Sequence, residues 1–158
     1  MMPARTRRAP PLREPVARYL APRMVMVDSN VLIDVIGNDA RWSEWSVSQI
    51  EAAMLAGGLV INPIIYAEIA AGFDSIESLD AAIAPLRLLR QPLPWEAAFL
   101  TSQAFQRYRR RGGSRRSPMP DFYIGAHASL AGHALLTRDP LRYREYFPQL
   151  DVIAPEAS

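Results

Sequence analysis

The chain has 158 residues, the size of one ordinary domain, and its apolar fraction of 49% is typical of a globular protein. It contains no cysteine, which excludes disulfides, zinc–thiolate sites and cysteine nucleophiles, and the expected location is cytoplasmic. All 18 basic residues are arginine, which excludes P-loop phosphate binding and Schiff-base chemistry because both need lysine. No apolar run approaches the ~18 residues that span a bilayer, so no membrane partner is expected.

Charge is distributed unevenly between the start of the chain and the remainder. Residues 1–23 hold six arginines and one glutamate, whereas residues 24–158 hold twelve arginines and fifteen acids. The folded part therefore carries about −3, and overall charge does not argue for nucleic-acid binding. Residues 1–22 are rich in proline and arginine and lack the apolar core of a signal peptide. They are predicted to be a disordered tail or the product of an upstream start codon, and residues 23–158 a single domain.

Short apolar runs alternate with segments that have helical periodicity and capping residues at their ends. The predicted elements, in chain order, are strand 24–27, helix 29–36, helix 43–56, strand 59–61, helix 63–72, helix 75–83, strand 86–89, helix 94–108, helix 121–130, strand 134–136 and edge strand 152–153. Strands that alternate with helices predict an α/β fold, a three-layer α/β/α sandwich with a mostly parallel central sheet.

Two acids follow predicted strands directly. Asp28 comes after the run 24–27, and Asp139 comes two residues after the run 134–136. Both side chains would project from the carboxyl ends of strands in one sheet, the edge where open α/β sheets bind ligands. Taken singly, each acid could equally be a helix or turn cap.

Two further acids lie on predicted helices. Glu68 borders the apolar stripe of helix 63–72, where a lone glutamate is most often a boundary residue. Asp121 opens helix 121–130, where it could serve as an N-cap. If both helices face the strand edge, all four carboxylates converge, and like charges ~4 Å apart disfavour each other by about 4 kcal/mol per pair at an effective dielectric near 20.

A divalent cation would remove that repulsion. Carboxylate oxygens without histidine or cysteine favour Mg²⁺ or Mn²⁺ over zinc. Such an ion lowers the pKa of a bound water and neutralises charge that develops on a phosphate. Phosphodiester hydrolysis is the reaction class that this donor set suits best.

At these residues the chain resembles the PIN-domain ribonucleases, and within them the VapC toxins of type II toxin-antitoxin systems. The matching segments are MVMVDSNVLIDV at 24–35, INPIIYAEIAAG at 61–72, PDFYIGAHASLAGHALLTRD at 120–139 and LDVIAP at 150–155. The resemblance implies that Asp28, Glu68, Asp121 and Asp139 are the catalytic, metal-binding acids. It also implies Mg²⁺-dependent RNA cleavage, a homodimer and inhibition by a cognate antitoxin, with a groove between helices 29–36, 43–56 and 63–72 as its docking site.

Other interpretations of the acids stay open. A PIN nuclease could act in RNA processing and not as a toxin, and a binding module without catalysis could use the acids to hold a structural ion. A haloacid-dehalogenase-like phosphatase or a receiver module fits less well, because both use a lysine.

Several neighbouring residues have secondary interpretations. Ser29, Asn30 and Thr137 could orient acids or waters, although Ser29 and Asn30 could equally cap the first helix. Asp34 is predicted to lie on a solvated face and His127 to pack beside its helix. The arginine-rich loop 109–117 is predicted to contact the RNA backbone, with Arg115 and Arg116 as its test positions.

Overall fold

The computed structural model describes residues 23–157, so the predictions for residues 1–22 fall outside the described chain. Five strands form one sheet in the order β3-β2-β1-β4-β5, and every neighbouring pair is parallel. The strands are β1 (Val25–Val27), β2 (Leu59–Ile61), β3 (Leu89–Arg90), β4 (Ala134–Leu136) and β5 (Val152–Ile153). The mostly parallel sheet predicted from sequence is confirmed.

Seven α-helices connect or follow these strands within the described residues. They are α1 (Ser29–Ile36), α2 (Ser43–Ala56), α3 (Pro63–Ala70), α4 (Ile76–Ile83), α5 (Trp95–Arg110), α6 (Pro120–Ala131) and α7 (Leu141–Tyr146). All residues of β1, β2 and β4 are buried, as expected of central strands that helices cover on both faces. This arrangement is the predicted α/β/α sandwich.

Local sequence explains most helix boundaries. Asp28, and not Ser29 or Asn30, is the N-cap of α1, and its side chain accepts a hydrogen bond from the Ser29 amide. Asn62 caps α3 through the Ile65 amide, and Pro63 occupies the first turn, where its missing N–H is not needed. The described helices include none with the length and apolar character needed to cross a bilayer.

Two predictions of secondary structure differ from the structure. The third strand is predicted at 86–89 but lies at Leu89–Arg90, because a 3₁₀ turn at Ala84–Leu86 extends α4 and Arg87 adopts a left-handed φ of 50°. Helix α7 is absent from the prediction. Its six residues are too few to show helical periodicity, and two of them, Tyr143 and Tyr146, are buried.

The carboxyl edge of the sheet is set by the pairing of its two central strands. Val27 of β1 pairs with Leu136 of β4, so Asp28 and Thr137 follow at the same level. The Asp28 amide donates to Leu136 O at 2.9 Å, which continues the pairing one residue beyond the strands. Segments far apart in sequence are thereby held side by side at this edge.

Candidate active site

Asp28 is buried at the centre of the carboxyl edge, with 4% of its surface exposed. Its Oδ1 accepts a hydrogen bond from the Ser29 amide at 2.8 Å. Its Oδ2 accepts one from Thr137 Oγ1 at 2.8 Å and one from the Tyr143 hydroxyl at 2.9 Å. Burial raises the pKa of Asp28, and the nearby Asp121 carboxylate raises it further, although the hydrogen bonds from Thr137 and Tyr143 oppose this. The carboxylate is therefore held in place but is costly to keep charged.

Glu68 projects from α3 toward the same edge and is partly buried. Its Oε1 is a buried carboxylate oxygen without a hydrogen-bond partner among the described residues. Burial raises the pKa of Glu68, and the negative charges of Asp28 and Asp121 add to the shift, although a hydrogen bond from the Ser29 side chain opposes it. An unpartnered carboxylate oxygen that faces two other acids is the feature expected where a cation would bind.

Asp121 lies in the first turn of α6 and is not its N-cap, which is Met119. The capping interpretation of Asp121 is therefore wrong. Its Oδ2 is 3.1 Å from Arg142 Nη1, and the Tyr143 hydroxyl is 3.5 Å from its Oδ1. Two residues of α7 thus contact the acid that α6 contributes.

Asp139 lies on the loop after β4 and is exposed. Its amide donates to Thr137 Oγ1 at 3.1 Å, and its Oδ2 is 3.4 Å from Asn30 Nδ2. It is not among the charges that shift the pKa of Asp28 or Glu68. Asp139 therefore lies at the rim of the site, connected to Asp28 through Thr137.

The donor set fits a hard divalent cation. Asp28, Glu68 and Asp121 supply only carboxylate oxygens, and Glu68 retains an oxygen without a protein partner. Across residues 23–157, however, no group of three or more histidine, aspartate or glutamate side chains is arranged so that it could hold a metal ion. The charge of Asp121 raises the pKa of Asp28, and the charges of Asp28 and Asp121 raise the pKa of Glu68, so the three acids interact although they do not form a finished metal site.

Thr137 and Asn30 have the contacts expected of residues that orient the acids. Thr137 Oγ1 donates to Asp28 Oδ2 and accepts from the Asp139 amide. Asn30 Nδ2 lies 3.3 Å from Thr137 Oγ1, and its Oδ1 accepts from the Arg138 amide at 3.2 Å. These bonds fasten the loop after β4 to α1.

Two expectations for neighbouring residues have different outcomes. The prediction that Asp34 lies on a solvated face is wrong, because the residue is only 1% exposed. Its Oδ2 accepts a hydrogen bond from Ser46 Oγ at 2.8 Å. The same oxygen lies 2.7 Å from Arg138 Nε, in an ion pair that is not aligned as a hydrogen bond. His127 is buried and lies 3.1 Å from Asn62 Nδ2 through its Nδ1, so the prediction that it packs beside its helix is confirmed.

Sequence reasoning missed Arg142 and Tyr143, which both belong to α7. The signal available was weak: an arginine and a tyrosine three and four residues after Asp139. Tyr143 is 1% exposed. Burial, together with the Asp28 and Asp121 carboxylates, holds the pKa of Tyr143 well above its usual value, so its hydroxyl keeps its proton.

The arginine-rich segment is shorter and more structured than predicted, because α5 continues to Arg110. Arg109 Nη1 donates to the carbonyl oxygens of Gly113 and Arg115, both at 3.0 Å. Arg111 pairs with Glu145 of α7 at 2.8 Å. The exposed side chains of three other arginines take part in no hydrogen bond or ion pair within the described chain: Arg110, Arg115 and Arg116.

Comparison with known proteins identifies the family. The PIN domain family model matches residues 25–145, well over half of the chain. No curated protein matches. Solved structures that match are a VapBC2 complex from Rickettsia felis bound to promoter DNA (16% identity, TM-score 0.65, 83% of this chain and 98% of that chain) and a DNA-bound VapBC from Salmonella typhimurium (23%, 0.62, 84% and 98%).

A toxin-antitoxin complex from Klebsiella pneumoniae also matches, at 21% identity and a TM-score of 0.63, over 85% of this chain and 99% of that chain. At these identities the likeness establishes the fold. The resemblance to PIN domains that the motifs indicated is thus confirmed by the family match. On the match over residues 25–145, the chain belongs to the PIN domain family.

Proposed function

We propose that this protein is a Mg²⁺- or Mn²⁺-dependent endoribonuclease and the toxin of a toxin-antitoxin pair. The observation that carries the proposal is the convergence of Asp28, Glu68 and Asp121 at the carboxyl edge of the sheet, with Glu68 Oε1 buried and unpartnered. A bound cation would neutralise the repulsion among three carboxylates at the edge of the sheet where ligands bind.

When bound, the cation would supply an activated water and neutralise charge on the scissile phosphate. Asp28, Glu68 and Asp121 would hold it, and Asp139 at the rim would contribute an outer ligand or bind one of its waters. Thr137 orients Asp28 and also holds the Asp139 amide, so it aligns the two strand-end acids. The family's nuclease character supports this chemistry.

RNA is the proposed substrate, and exposed arginines support it. Arg110, Arg115 and Arg116 leave their guanidinium groups free of hydrogen bonds and ion pairs to other described residues, just before the helix that carries Asp121. Guanidinium groups pair bidentately with phosphate, and a basic loop can follow a single strand. These arginines would bind the backbone on either side of the cleaved bond.

The proposed partners are a cognate antitoxin, bound at the groove between α1, α2 and α3, and a second copy of the chain in a cytoplasmic homodimer. The matched structures from Salmonella typhimurium and Klebsiella pneumoniae are toxin-antitoxin assemblies, which supports the first of these. Growth arrest on induced expression, relieved by a gene adjacent to this one, would distinguish a toxin from a PIN nuclease of RNA processing.

The central experiment compares RNA cleavage in Mg²⁺ by wild type, Asp28→Asn and Asp121→Asn. Each change removes a charge with little change of shape, and each should lower the cleavage rate by two orders of magnitude or more, in line with the loss of a metal ligand. Asp74→Asn, at an exposed acid before α4, is the matched control. Equal activity in all four proteins would end the assignment.

Chelation separates catalysis from the alternative, a structural ion in a non-catalytic module. Loss of cleavage in EDTA and recovery in Mg²⁺ or Mn²⁺ supports the nuclease. A fall in melting temperature in EDTA, without cleavage under any condition, supports the structural ion.

A further inference from the structure

Tyr143 places a hydroxyl group between two of the acids. It donates to Asp28 Oδ2 at 2.9 Å and lies 3.5 Å from Asp121 Oδ1. We infer that Tyr143 is a positioning residue of the acid site: it fixes the Asp28 carboxylate so that Asp28 presents a single free lone pair to a bound cation. The inference rests on the proposed function and adds a residue that the four-acid motif does not contain.

The packing of α7 makes this contact rigid. The Tyr143 side chain is buried, and its ring lies against α6 at Gly125, where an added Cβ would be 3.1 Å from Tyr143 Cδ1. Tyr146 on the same helix packs edge-on against Phe122 with ring centroids 5.2 Å apart. Since both tyrosine rings are locked, the Tyr143 hydroxyl has little freedom to leave Asp28.

The hydrogen bonds of Asp28 explain why one donor matters. A carboxylate has about four acceptor positions. Three are taken by the Ser29 amide, Thr137 Oγ1 and the Tyr143 hydroxyl. Only Oδ1 keeps an unused position, so the donors on Oδ2 determine which oxygen faces a ligand.

Loss of the hydroxyl should therefore weaken cation binding while the fold stays intact. Without Tyr143, Oδ2 retains only the Thr137 bond, and the carboxylate can turn away from the position that it shares with Glu68 and Asp121. Outer partners of metal ligands typically account for a factor of 10 to 100 in affinity. We expect the lower end, about tenfold, because Thr137 remains.

The test is Mn²⁺ binding to Tyr143→Phe, measured by isothermal titration calorimetry on the full chain. Tyr146→Phe is the matched control, because it removes a hydroxyl from a buried ring of the same helix that does not contact Asp28 or Asp121. We expect the Mn²⁺ dissociation constant to rise about tenfold in Tyr143→Phe and to stay within twofold of wild type in Tyr146→Phe.

The melting temperature in EDTA separates positioning from a merely structural role. A structural role would lower this melting temperature in Tyr143→Phe and leave the Mn²⁺ dissociation constant unchanged, and that result would overturn the inference. If the phenylalanine protein does not fold, Tyr143→Met, which fills the space adaptably, replaces it in the same titration.

Failure of the inference can be told apart from failure of the proposed function. Wild type that neither binds Mn²⁺ nor cleaves RNA would contradict the proposed function itself. Wild type that binds Mn²⁺ and cleaves RNA, together with an unchanged affinity in Tyr143→Phe, would contradict only the role of Tyr143.

Discussion

At the scale of single residues, Arg142 is the one cation that contacts an acid of the site within the described chain. Its Nη1 is 3.1 Å from Asp121 Oδ2, and both side chains are partly exposed, at 40% and 35%. In the absence of a metal ion, this guanidinium offsets part of the repulsion among the carboxylates. A metal ion bound to Asp121 as proposed would draw on the same carboxylate, so Arg142 would compete with it.

Removal of Arg142 should consequently tighten metal binding. A partly exposed ion pair contributes about 0.5–1 kcal/mol, so Arg142→Gln should lower the Mn²⁺ dissociation constant by a factor of about two to five. Arg144→Gln, at an exposed position of the same helix, is the control and should have no effect. Weaker Mn²⁺ binding in Arg142→Gln would mean that the guanidinium assists the site and does not compete.

The position of Asp28 and Asp139 at the carboxyl edge of the sheet could be predicted from sequence, as could the contacts of Thr137, but the contacts of Arg142 and Tyr143 could not. Asp28 and Asp139 follow apolar runs, a local signal that fixes their place at the edge of the sheet. Arg142 and Tyr143 reach the acids only because α7 folds back onto α6, a tertiary contact with no local pattern. The same limit explains Asp34, whose burial depends on Ser46 and Arg138 from other segments.

At the scale of elements, the contact between α6 and α7 depends on Gly125 in the middle of α6. An added Cβ there would lie 2.5 Å from Phe147 Cδ2 and 3.1 Å from Tyr143 Cδ1. A glycine in a helix interior is unfavourable by about 1 kcal/mol relative to alanine, so its presence needs a packing reason. Close approach of α7, which carries Tyr143 to Asp28, supplies that reason.

Gly125→Ala should therefore destabilise the protein despite the better helix propensity of alanine. Overpacking of a close contact is unfavourable by about 1–3 kcal/mol, which exceeds the gain in propensity, and the displaced α7 should also weaken Mn²⁺ binding. Urea denaturation in EDTA measures the first effect and calorimetry the second. Gly72→Ala is the control, since its Cβ would meet only Ile69 O at an ordinary 3.8 Å. A Gly125→Ala protein as stable as wild type would show that α7 can shift freely.

Helices and strands could be predicted where the apolar pattern was long or where clear capping or breaking residues marked both ends. Helices α1 and α2 and strands β2, β4 and β5 lie within the predicted bounds, because apolar periodicity and the residues that cap or end each element agree. The predicted position of strand β3 is wrong, and α7 is absent from the prediction. With two and six residues, these elements are too short to show a recognisable alternation or helical periodicity.

At the scale of the whole molecule, the topology gathers negative charge without neutralising it fully. Asp28, Glu68 and Asp121 come from the end of β1, from α3 and from α6, and the pKa values of Asp28 and Glu68 are both raised, mainly by burial. The native protein without metal therefore holds protons on these groups to a higher pH than the unfolded chain does. Their contribution to stability is full below their ordinary pKa values and is lost as pH rises through the raised ones.

Glu68→Gln tests this whole-molecule effect. The variant should be more stable than wild type without metal and less stable than wild type with metal. In EDTA at pH 7 the variant should be more stable than wild type by about 0.5–1 kcal/mol, and the difference should shrink as pH falls through the raised pKa of Glu68 and vanish well below its ordinary value of 4.5, where Glu68 is protonated in both states. In Mn²⁺ at a hundred times its dissociation constant, wild type should gain about 2.7 kcal/mol and the variant less, so wild type becomes the more stable. Urea denaturation under each condition measures both differences, with Glu51→Gln on exposed α2 as control. The same order of stability in EDTA and in Mn²⁺ would mean that Glu68 does not bind the cation.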